Sequence, residues 1–244
     1  MHKVERAIIM AAGIGKRMQP VSFETPKPLI KVNGVRMIDT VIQALHANNI
    51  FEIYVVVGYL KEKFDCLKEE YPGVEIIENP YYDTCNNISS LYMAREHIEN
   101  AIILDGDQII YNKDILAPEF ERSGYNAVWT ENETDEWLLT ITDGIVTECS
   151  RTGGKGGWQL YSVSRWSKND AEKLKQHLEI EFEEKKNHQI YWDDVAMFCH
   201  FDEYELGIRE MKMTDVLEID DIHELVKIDK SYERYYKGGT EDEK

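Results

Sequence analysis

The stretch AIIMAAGIGKRMQPVSFETPKPL, residues 7–29, carries the strongest structural signal in the chain. It begins with five apolar residues, as a buried strand does, and continues directly into Gly13 and Gly15. Two glycines after a buried strand let the backbone approach a ligand closely and direct N–H groups toward phosphate oxygens. Arg17 and Lys27 follow, in a chain whose formal net charge is −18. The pattern predicts a strand followed by an anion-binding loop, with cations suited to a triphosphate.

The glycine spacing differs from that of two common nucleotide-binding motifs. The dinucleotide fingerprint requires a third small residue at position 18, where this chain has Met18. The P-loop requires glycine at position 10 and Ser or Thr at position 17, so Met10 and Arg17 exclude it. From these residues alone, an ordinary surface loop with solubilising lysines remains the alternative.

Apolar strands alternate with helical periodicity through the first 130 residues. We predict strands at 7–11, 53–57, 74–77 and 101–104, and helices at 37–47, 61–70 and 87–97. Continuous apolar strands that alternate with helices indicate a parallel sheet covered on both faces. The predicted fold is therefore α/β, a Rossmann-like three-layer α/β/α sandwich with a mostly parallel sheet.

After residue 126 the predicted elements become shorter and more polar. We predict strands at 127–130, 138–142, 145–148 and 212–219, a glycine-rich loop at 151–157, and helices at 169–186, 192–200 and 222–235. The short strands predict a small antiparallel lid at about 126–200 within a single domain, residues 1–235. Residues 236–244 are predicted to be a disordered tail.

Charge and composition exclude several classes of protein. A net charge of −18 disfavours nucleic acid and anionic membranes as partners. No apolar segment approaches the roughly 20 residues that span a bilayer, so we expect no membrane insertion. The four cysteines are scattered and form no C-x-x-C pair, which favours a reducing compartment, and we expect a cytoplasmic protein. The oligomeric state is left open.

Three further groups of polar and aromatic residues are candidates for a site. Asp105 and Asp107 follow the predicted strand at 101–104, where ligands of an open parallel sheet lie, and Mg²⁺ is typically held by one or two carboxylates plus substrate phosphates. A plain turn is the alternative for this pair. Asn86 and Asn87 offer paired donors and acceptors to a pyrimidine, or a helix cap.

The third group places two aromatic rings beside two carboxylates: Tyr191, Trp192, Asp193 and Asp194. Ring faces with a nearby negative charge suit a quaternary ammonium group, which cannot donate an N–H hydrogen bond. Large aromatic side chains are also common in protein cores, so a packing role is the alternative.

The pattern A-A-G-x-G-x-R-x-x-P followed by T-P-K-P-L resembles the signature of the nucleotidyltransferase superfamily that makes sugar nucleotides and activated alcohols. Other segments are similar to the bacterial CTP:phosphocholine cytidylyltransferases, namely VGYLKE at 57–62, NNISSL at 86–91, Glu136-Trp137 and the Tyr-Trp-Asp stretch at 191–193. The resemblance implies transfer of CMP from CTP to phosphocholine, giving CDP-choline and diphosphate, with Mg²⁺ as cofactor.

The same resemblance implies a role for each matching residue. It implies catalysis by Arg17 and Lys27; nucleotide binding by Ala11, Ala12, Gly13, Gly15, Gly58, Tyr59, Asn86, Asn87, Ser89 and Asp105; metal binding by Asp107 and Asp220; and acceptor binding by Trp137, Tyr191, Trp192, Asp193 and Asp194. The alternatives are another acceptor, such as 2-aminoethylphosphonate, another phosphorylated alcohol or a sugar 1-phosphate, or a catalytically silent nucleotide-binding regulator.

Overall fold

The structure is a computed structural model that describes residues 1–237. Within these residues, nine strands form one mixed sheet. They are β1 (Arg6–Ala11), β2 (Glu52–Val57), β3 (Val74–Glu78), β4 (Ala101–Asp105), β5 (Gly124–Thr134), β6 (Leu138–Thr142), β7 (Ile145–Ser150), β8 (Gly154–Trp166) and β9 (Gly207–Glu210). Their order is β7-β6-β8-β4-β1-β2-β3, and β5 pairs with β8 and β9.

The first four strands form the parallel part of the sheet, with β1 between β4 and β2 and with β3 at the edge. Alternate side chains of β1 enter different cores, since Ile9 belongs to one apolar cluster and Ile8 to the other. The helices α1 (Met37–Ala47) and α2 (Asp65–Glu70) cover the first face. The helices α3 (Ile88–Met93) and α4 (Lys168–Glu179) cover the second. The predicted α/β sandwich of three layers is confirmed.

The segment predicted as a lid is a direct extension of this sheet, because β8 pairs antiparallel with β4. The prediction of a loop over 151–157 was wrong from Gly154 onward, where β8 begins. Gly154 and Gly157 lie opposite Thr134 and Thr130 of β5, so long-range pairing overrides the turn preference of glycine.

The three helices predicted at 169–186, 192–200 and 222–235 differ from the structure in form. After α4 the chain continues as a π-helix, Ile180–Glu184, and the helix expected at 192–200 is a π-helix over Val195–Cys199. The helix expected at 222–235 is interrupted at Asp229, whose Oδ1 accepts the backbone N–H of Ser231 at 3.0 Å. It consists of α5 (Ile222–Ile228) and α6 (Glu233–Lys237).

The helix α6 thus includes residues 236 and 237 of the predicted tail, and 238–244 lie outside the described residues. Three two-stranded ribbons pair His2–Lys3 with Glu119–Phe120, Lys31–Val32 with Val35–Arg36, and Gln108–Ile110 with Val216–Glu218. Short 3₁₀ turns complete the chain at Lys16–Met18, Val21–Phe23, Lys27–Leu29, Lys61–Phe64, Arg95–His97, Lys113–Leu116, Phe201–Glu203 and Lys230–Tyr232.

The four cysteines all lie in the described part of the chain and are free thiols. No helix within residues 1–237 has both the length and the apolar character that a membrane span needs.

Candidate active site

The glycine loop, its cations and two distant carboxylates meet in one cavity of about 300 Å³ beyond the carboxyl end of β1. The cavity is lined by Met10, Ala11, Gly13, Gly15, Lys16, Arg17, Lys27, Pro28, Asp107 and Asp220. Ala12, also predicted to bind nucleotide, is buried in the same loop. Three segments far apart in sequence therefore converge here.

The loop owes its shape to Gly15 and to a buried serine. Gly15 has a left-handed backbone with φ of 66°, and a Cβ there would lie 3.1 Å from Cβ of Lys27. The Ser22 hydroxyl donates to the carbonyl oxygen of Gly15 at 2.8 Å. Beside Gly13 the space is open, so a ligand can approach its backbone closely. Sequence reasoning missed Ser22, which carries no motif signal of its own.

Asp107 and Asp220 are brought together by the ribbon of Gln108–Ile110 and Val216–Glu218. In its antiparallel register Glu218 lies opposite Gln108. Asp107 comes immediately before Gln108, and Asp220 follows Glu218 by two residues. The two aspartates therefore lie at the same end of the ribbon. Asp221, the neighbouring alternative, is the N-cap of α5, and its Oδ1 accepts the backbone N–H of Glu224 at 2.9 Å. The geometry therefore places Asp220 rather than Asp221 in the cavity.

Lys27 lies between the two carboxylates. Its Nζ is 2.5 Å from Oδ2 of Asp107 and 3.2 Å from Oδ1 of Asp220, while Arg17 Nη2 is also 3.2 Å from that second oxygen. Burial lowers the pKa of Lys27, but the two neighbouring carboxylates outweigh burial and the net pKa is raised. Lys27 therefore remains an ammonium cation at neutral pH.

Two more acidic side chains, Asp105 and Glu218, lie near Asp107. Burial, reinforced by Asp107 and Glu218, raises the pKa of Asp105 well above its usual range. Burial likewise raises the pKa of Glu218 to about 7, although Gln108 Nε2 donates to its Oε1 at 2.7 Å. The lining of the cavity itself carries two carboxylates, Asp107 and Asp220, and three cations, Lys16, Arg17 and Lys27, a balance that suits an anionic triphosphate. Sequence reasoning missed Gln108 and Glu218, although both neighbour the predicted aspartates.

The pair Asp107 and Asp220 fits a divalent metal. Their oxygens already converge on one cation, the ammonium of Lys27. Two carboxylates completed by substrate phosphates form a typical Mg²⁺ site. The described residues contain no group of three or more His, Cys, Asp or Glu side chains arranged to hold a metal ion. The remaining ligands of such an ion would therefore come from the nucleotide and water.

Gly58 and Tyr59 hold the glycine loop from the end of β2. The Tyr59 N–H donates to the carbonyl oxygen of Ala12 at 3.2 Å. A Cβ at Gly58 would lie 2.5 Å from Cβ of Tyr82, so only glycine allows this ring to pack there. The contact of Gly58 and Tyr59 with the nucleotide remains a prediction.

Asn87 is the N-cap residue of α3, but neither its side chain nor that of Asn86 makes a capping hydrogen bond to the helix. Asn86 Nδ2 donates to the carbonyl oxygen of Gln189 at 3.2 Å, and Asn87 Oδ1 accepts the backbone N–H of Trp192 at 2.9 Å. The pair therefore fixes the segment that carries the predicted acceptor residues. Ser89 is fully buried and donates to the carbonyl oxygen of Asn86 at 2.8 Å. We therefore expect Ser89 to support Asn86 rather than contact the nucleotide.

Trp192 is a core residue, contrary to the prediction that it contacts the acceptor. It is 2% exposed and packs against Tyr125 and Trp166, with ring centroids 6.1 and 6.2 Å away. Trp137 and Tyr191 remain accessible, and their rings meet edge to face at 6.1 Å. Tyr191 is exposed, whereas the next residue, Trp192, is buried. The sequence alone does not reveal this difference.

The carboxylates after Trp192 are both buried. Asp194 Oδ2 accepts the backbone N–H of Tyr191 at 2.8 Å, and its Oδ1 lies 2.6 Å from Arg151 Nη2. Burial raises the pKa of Asp193 to about 7, an effect opposed by the Tyr125 hydroxyl. Asp193 Oδ1 has no hydrogen-bond partner among the described residues. Phe198 packs edge to face against Trp137 with ring centroids 5.3 Å apart, and Arg151 lies over the Phe198 ring; sequence reasoning missed both residues.

The α/β sheet with a glycine-loop cavity at the carboxyl end of its first strand is the arrangement expected of a nucleotidyltransferase. Residues 7–173 match the MobA-like NTP transferase domain, so the chain belongs to that family. A 2-aminoethylphosphonate cytidylyltransferase of Lancefieldella rimae is 38% identical over 93% of this chain and 92% of its own length. A choline-phosphate cytidylyltransferase of Streptococcus pneumoniae is 33% identical over 92% of this chain and 96% of its own length.

The fold agrees with these sequence similarities. A solved structure of the CTP:phosphocholine cytidylyltransferase from Streptococcus pneumoniae superposes with a TM-score of 0.84 and 32% identity, covering 94% of this chain and 99% of that chain. The predicted resemblance to this family is confirmed.

Proposed function

We propose that the protein transfers CMP from CTP to phosphocholine, giving CDP-choline and diphosphate, with Mg²⁺ as cofactor. The observation that carries the proposal is the convergence of Arg17, Lys27, Asp107 and Asp220 at the glycine loop. The similarity over nine-tenths of the chain to two cytidylyltransferases supports cytidylyl transfer.

In this mechanism a phosphate oxygen of the acceptor attacks the α-phosphorus of CTP in line. A new P–O bond forms as the bond to the diphosphate breaks, and the diphosphate carries away the electron pair. The glycine loop holds the triphosphate, Arg17 contacts its outer phosphates, and Lys27 neutralises charge that develops at the α-phosphate. Bound Mg²⁺ would add further charge neutralisation between Asp107 and Asp220. The attacking phosphate is already ionised, so no general base is needed.

The acidic aromatic pocket of Trp137, Tyr191, Phe198, Asp193 and Asp194 supports a cationic acceptor. Trp137 lies edge to face against both Tyr191 and Phe198. Ring faces beside carboxylates are the usual receptor for a quaternary ammonium.

A second candidate acceptor, 2-aminoethylphosphonate, is favoured by one observation. The free oxygen Oδ1 of Asp193 is a hydrogen-bond acceptor without a donor among the described residues. A primary ammonium would donate N–H groups to it, which a trimethylammonium cannot do. The Lancefieldella relative is named for that acceptor.

The proposed function is tested by measuring diphosphate release with Mg²⁺, each of the four common nucleoside triphosphates, and a panel of acceptors. Sites that hydrogen-bond a polar group reject analogues strongly, so we expect kcat/KM for CTP to exceed that for UTP by about 100-fold or more. Equal turnover of CTP and UTP would contradict cytidylyl transfer. Turnover with sugar 1-phosphates but with neither amine acceptor would contradict the proposed acceptor class.

The two tryptophans provide a matched test of the acceptor pocket. Trp137→Leu removes an accessible ring face, so we expect the KM for phosphocholine to rise about tenfold with little change in the KM for CTP. Trp192→Leu opens a gap in the core, so we expect it instead to lower the Tm by about 5 °C or more. Steady-state kinetics and thermal unfolding distinguish the two effects. Unchanged acceptor kinetics in Trp137→Leu would show that the Trp137 ring does not bind the acceptor.

Two further expectations complete the proposal. The chain from residue 1 to 235 acts as a single domain, in keeping with a sheet to which strands from both halves of the chain contribute. Free thiols throughout the described chain agree with a reducing compartment, and the cytoplasm remains the expected one.

A further inference from the structure

Arg151 lies on the tight turn that joins β7 to β8. The Ser150 hydroxyl donates to the carbonyl oxygen of Gly153 at 2.6 Å, closing the turn. Gly153 has a left-handed backbone with φ of 69°, and a Cβ there would lie 1.8 Å from the carbonyl oxygen of Thr134. The turn therefore packs directly against β5 and holds Arg151 at the acidic aromatic pocket.

The guanidinium of Arg151 is surrounded by the groups expected to bind an acceptor's amine. Its Cζ lies 3.9 Å from the ring centroid of Phe198 and 6.0 Å from that of Trp137. Its Nη2 lies 2.6 Å from Oδ1 of Asp194. The Asp194 side chain is 4% exposed, whereas that of Arg151 is 48% exposed. Arg151 thus covers a buried carboxylate from the solvent side.

We propose that Arg151 determines which acceptor head group the enzyme accepts, because its guanidinium covers the Phe198 ring and must leave it before a trimethylammonium can bind to that face. The inference rests on the proposed function, which supplies the amine acceptor. Arg151 thus competes with a head group that needs this ring face and does not compete with one that can bind elsewhere in the pocket.

The two candidate head groups differ in whether they need that ring face. A primary ammonium can donate N–H groups to Asp193 Oδ1, which has no hydrogen-bond partner among the described residues, while Arg151 stays 2.6 Å from Asp194. A trimethylammonium has no donor and depends on ring faces, so it must displace the guanidinium that lies 3.9 Å from the Phe198 centroid. Displacement of Arg151 therefore penalises phosphocholine more than 2-aminoethylphosphonate, in opposition to the preference of the aromatic rings.

The test compares Arg151→Met with the wild type. Methionine keeps an apolar stem beside Phe198 but removes the charge and the donors. We expect the KM for phosphocholine to fall about tenfold, the KM for 2-aminoethylphosphonate to fall less, and the KM for CTP to stay the same. Lys155→Met, which removes a positive charge on the following strand, controls for the general field and should leave both acceptor KM values unchanged.

Two outcomes would overturn the inference. Unchanged KM values in Arg151→Met would show that the arginine does not compete, and a rise for both acceptors would make it a binding residue for them. Titration with choline and with ethanolamine, followed by tryptophan fluorescence, provides a measurement that needs no turnover. We expect choline to bind Arg151→Met more tightly than wild type, with a smaller gain for ethanolamine. If the wild type turns over neither acceptor, the proposed function fails, while this titration still decides the role of Arg151.

Discussion

Replacing Asp107 by asparagine is expected to lower kcat/KM for CTP by at least about 100-fold, the scale on which a preorganised electrostatic contact acts. The amide keeps the shape of the side chain but removes the charge that faces Lys27 and the expected metal site. The Asp107 side chain is 30% exposed, and the change leaves Lys27 paired with Asp220 at 3.2 Å. We therefore expect thermal unfolding to change little, so that the loss is one of turnover.

Asp220 and Asp221 provide the matched comparison for this experiment. Asp220→Asn should resemble Asp107→Asn, because Asp220 is the second carboxylate at Lys27. Asp221→Asn should leave turnover unchanged, because Asp221 caps α5 through its bond to the Glu224 N–H and asparagine is also a good N-cap. Loss of turnover in Asp221→Asn together with full activity in Asp220→Asn would show that Asp221, and not Asp220, is the second carboxylate of the site. Activity that survives removal of divalent metal by EDTA would contradict the metal site itself.

The glycine loop could be predicted from the sequence because its signal is local. Gly13, Gly15, Arg17 and Lys27 lie within fifteen positions, and the buried strand before them fixes the direction in which the loop leaves the sheet. Alternating strands and helices likewise predicted the parallel half of the sheet, since continuous apolar strands must be covered on both faces. Asp107 followed from the rule that ligands lie beyond the carboxyl ends of such strands.

The acceptor side could not be predicted to the same depth because long-range contacts define it. Nothing in the Tyr-Trp-Asp-Asp stretch shows that Tyr191 faces solvent while Trp192 packs against Trp166. The bonds from Asn86 and Asn87 to the backbone near Trp192 span more than one hundred positions. Amide side chains at a helix start suggest a cap or a base contact, whereas here they join two distant segments.

Arg151 is a second example of a residue whose role depends on long-range contacts and therefore could not be predicted from the sequence. In sequence it introduces a glycine-rich stretch that is typical of a solvated loop, and no local pattern links it to Asp194. The pairing of β8 with β5 carries it to Asp194, forty-three positions later. A local pattern therefore locates the phosphate-binding half of the site, and strand pairing assembles the half that selects the acceptor.

Lys27→Met is expected to separate catalysis from metal binding at this site. Methionine has a similar length, lacks the charge, and leaves the two carboxylates facing each other without their shared cation. Loss of the ammonium at the α-phosphate should lower kcat by about 100-fold or more. The KM for CTP should change less, because Arg17 and the backbone N–H groups of the loop still hold the outer phosphates.

Metal affinity should change in the opposite direction, because Lys27 occupies the space between Asp107 and Asp220 that a divalent ion would enter. Two unit charges about 4 Å apart in water interact by about 1 kcal/mol, so removing the ammonium should raise the affinity for Mn²⁺ at least about fivefold. Calorimetric titration of the free protein measures this, with Lys16→Met, which removes a cation that also lines the cavity, as the control for overall charge. Weaker Mn²⁺ binding in Lys27→Met would show that the lysine supports the carboxylates rather than competing for them. A gain in Mn²⁺ affinity together with a loss of turnover would show that the same two carboxylates alternate between the lysine and the metal, so that arrival of the metal frees the lysine for the phosphate.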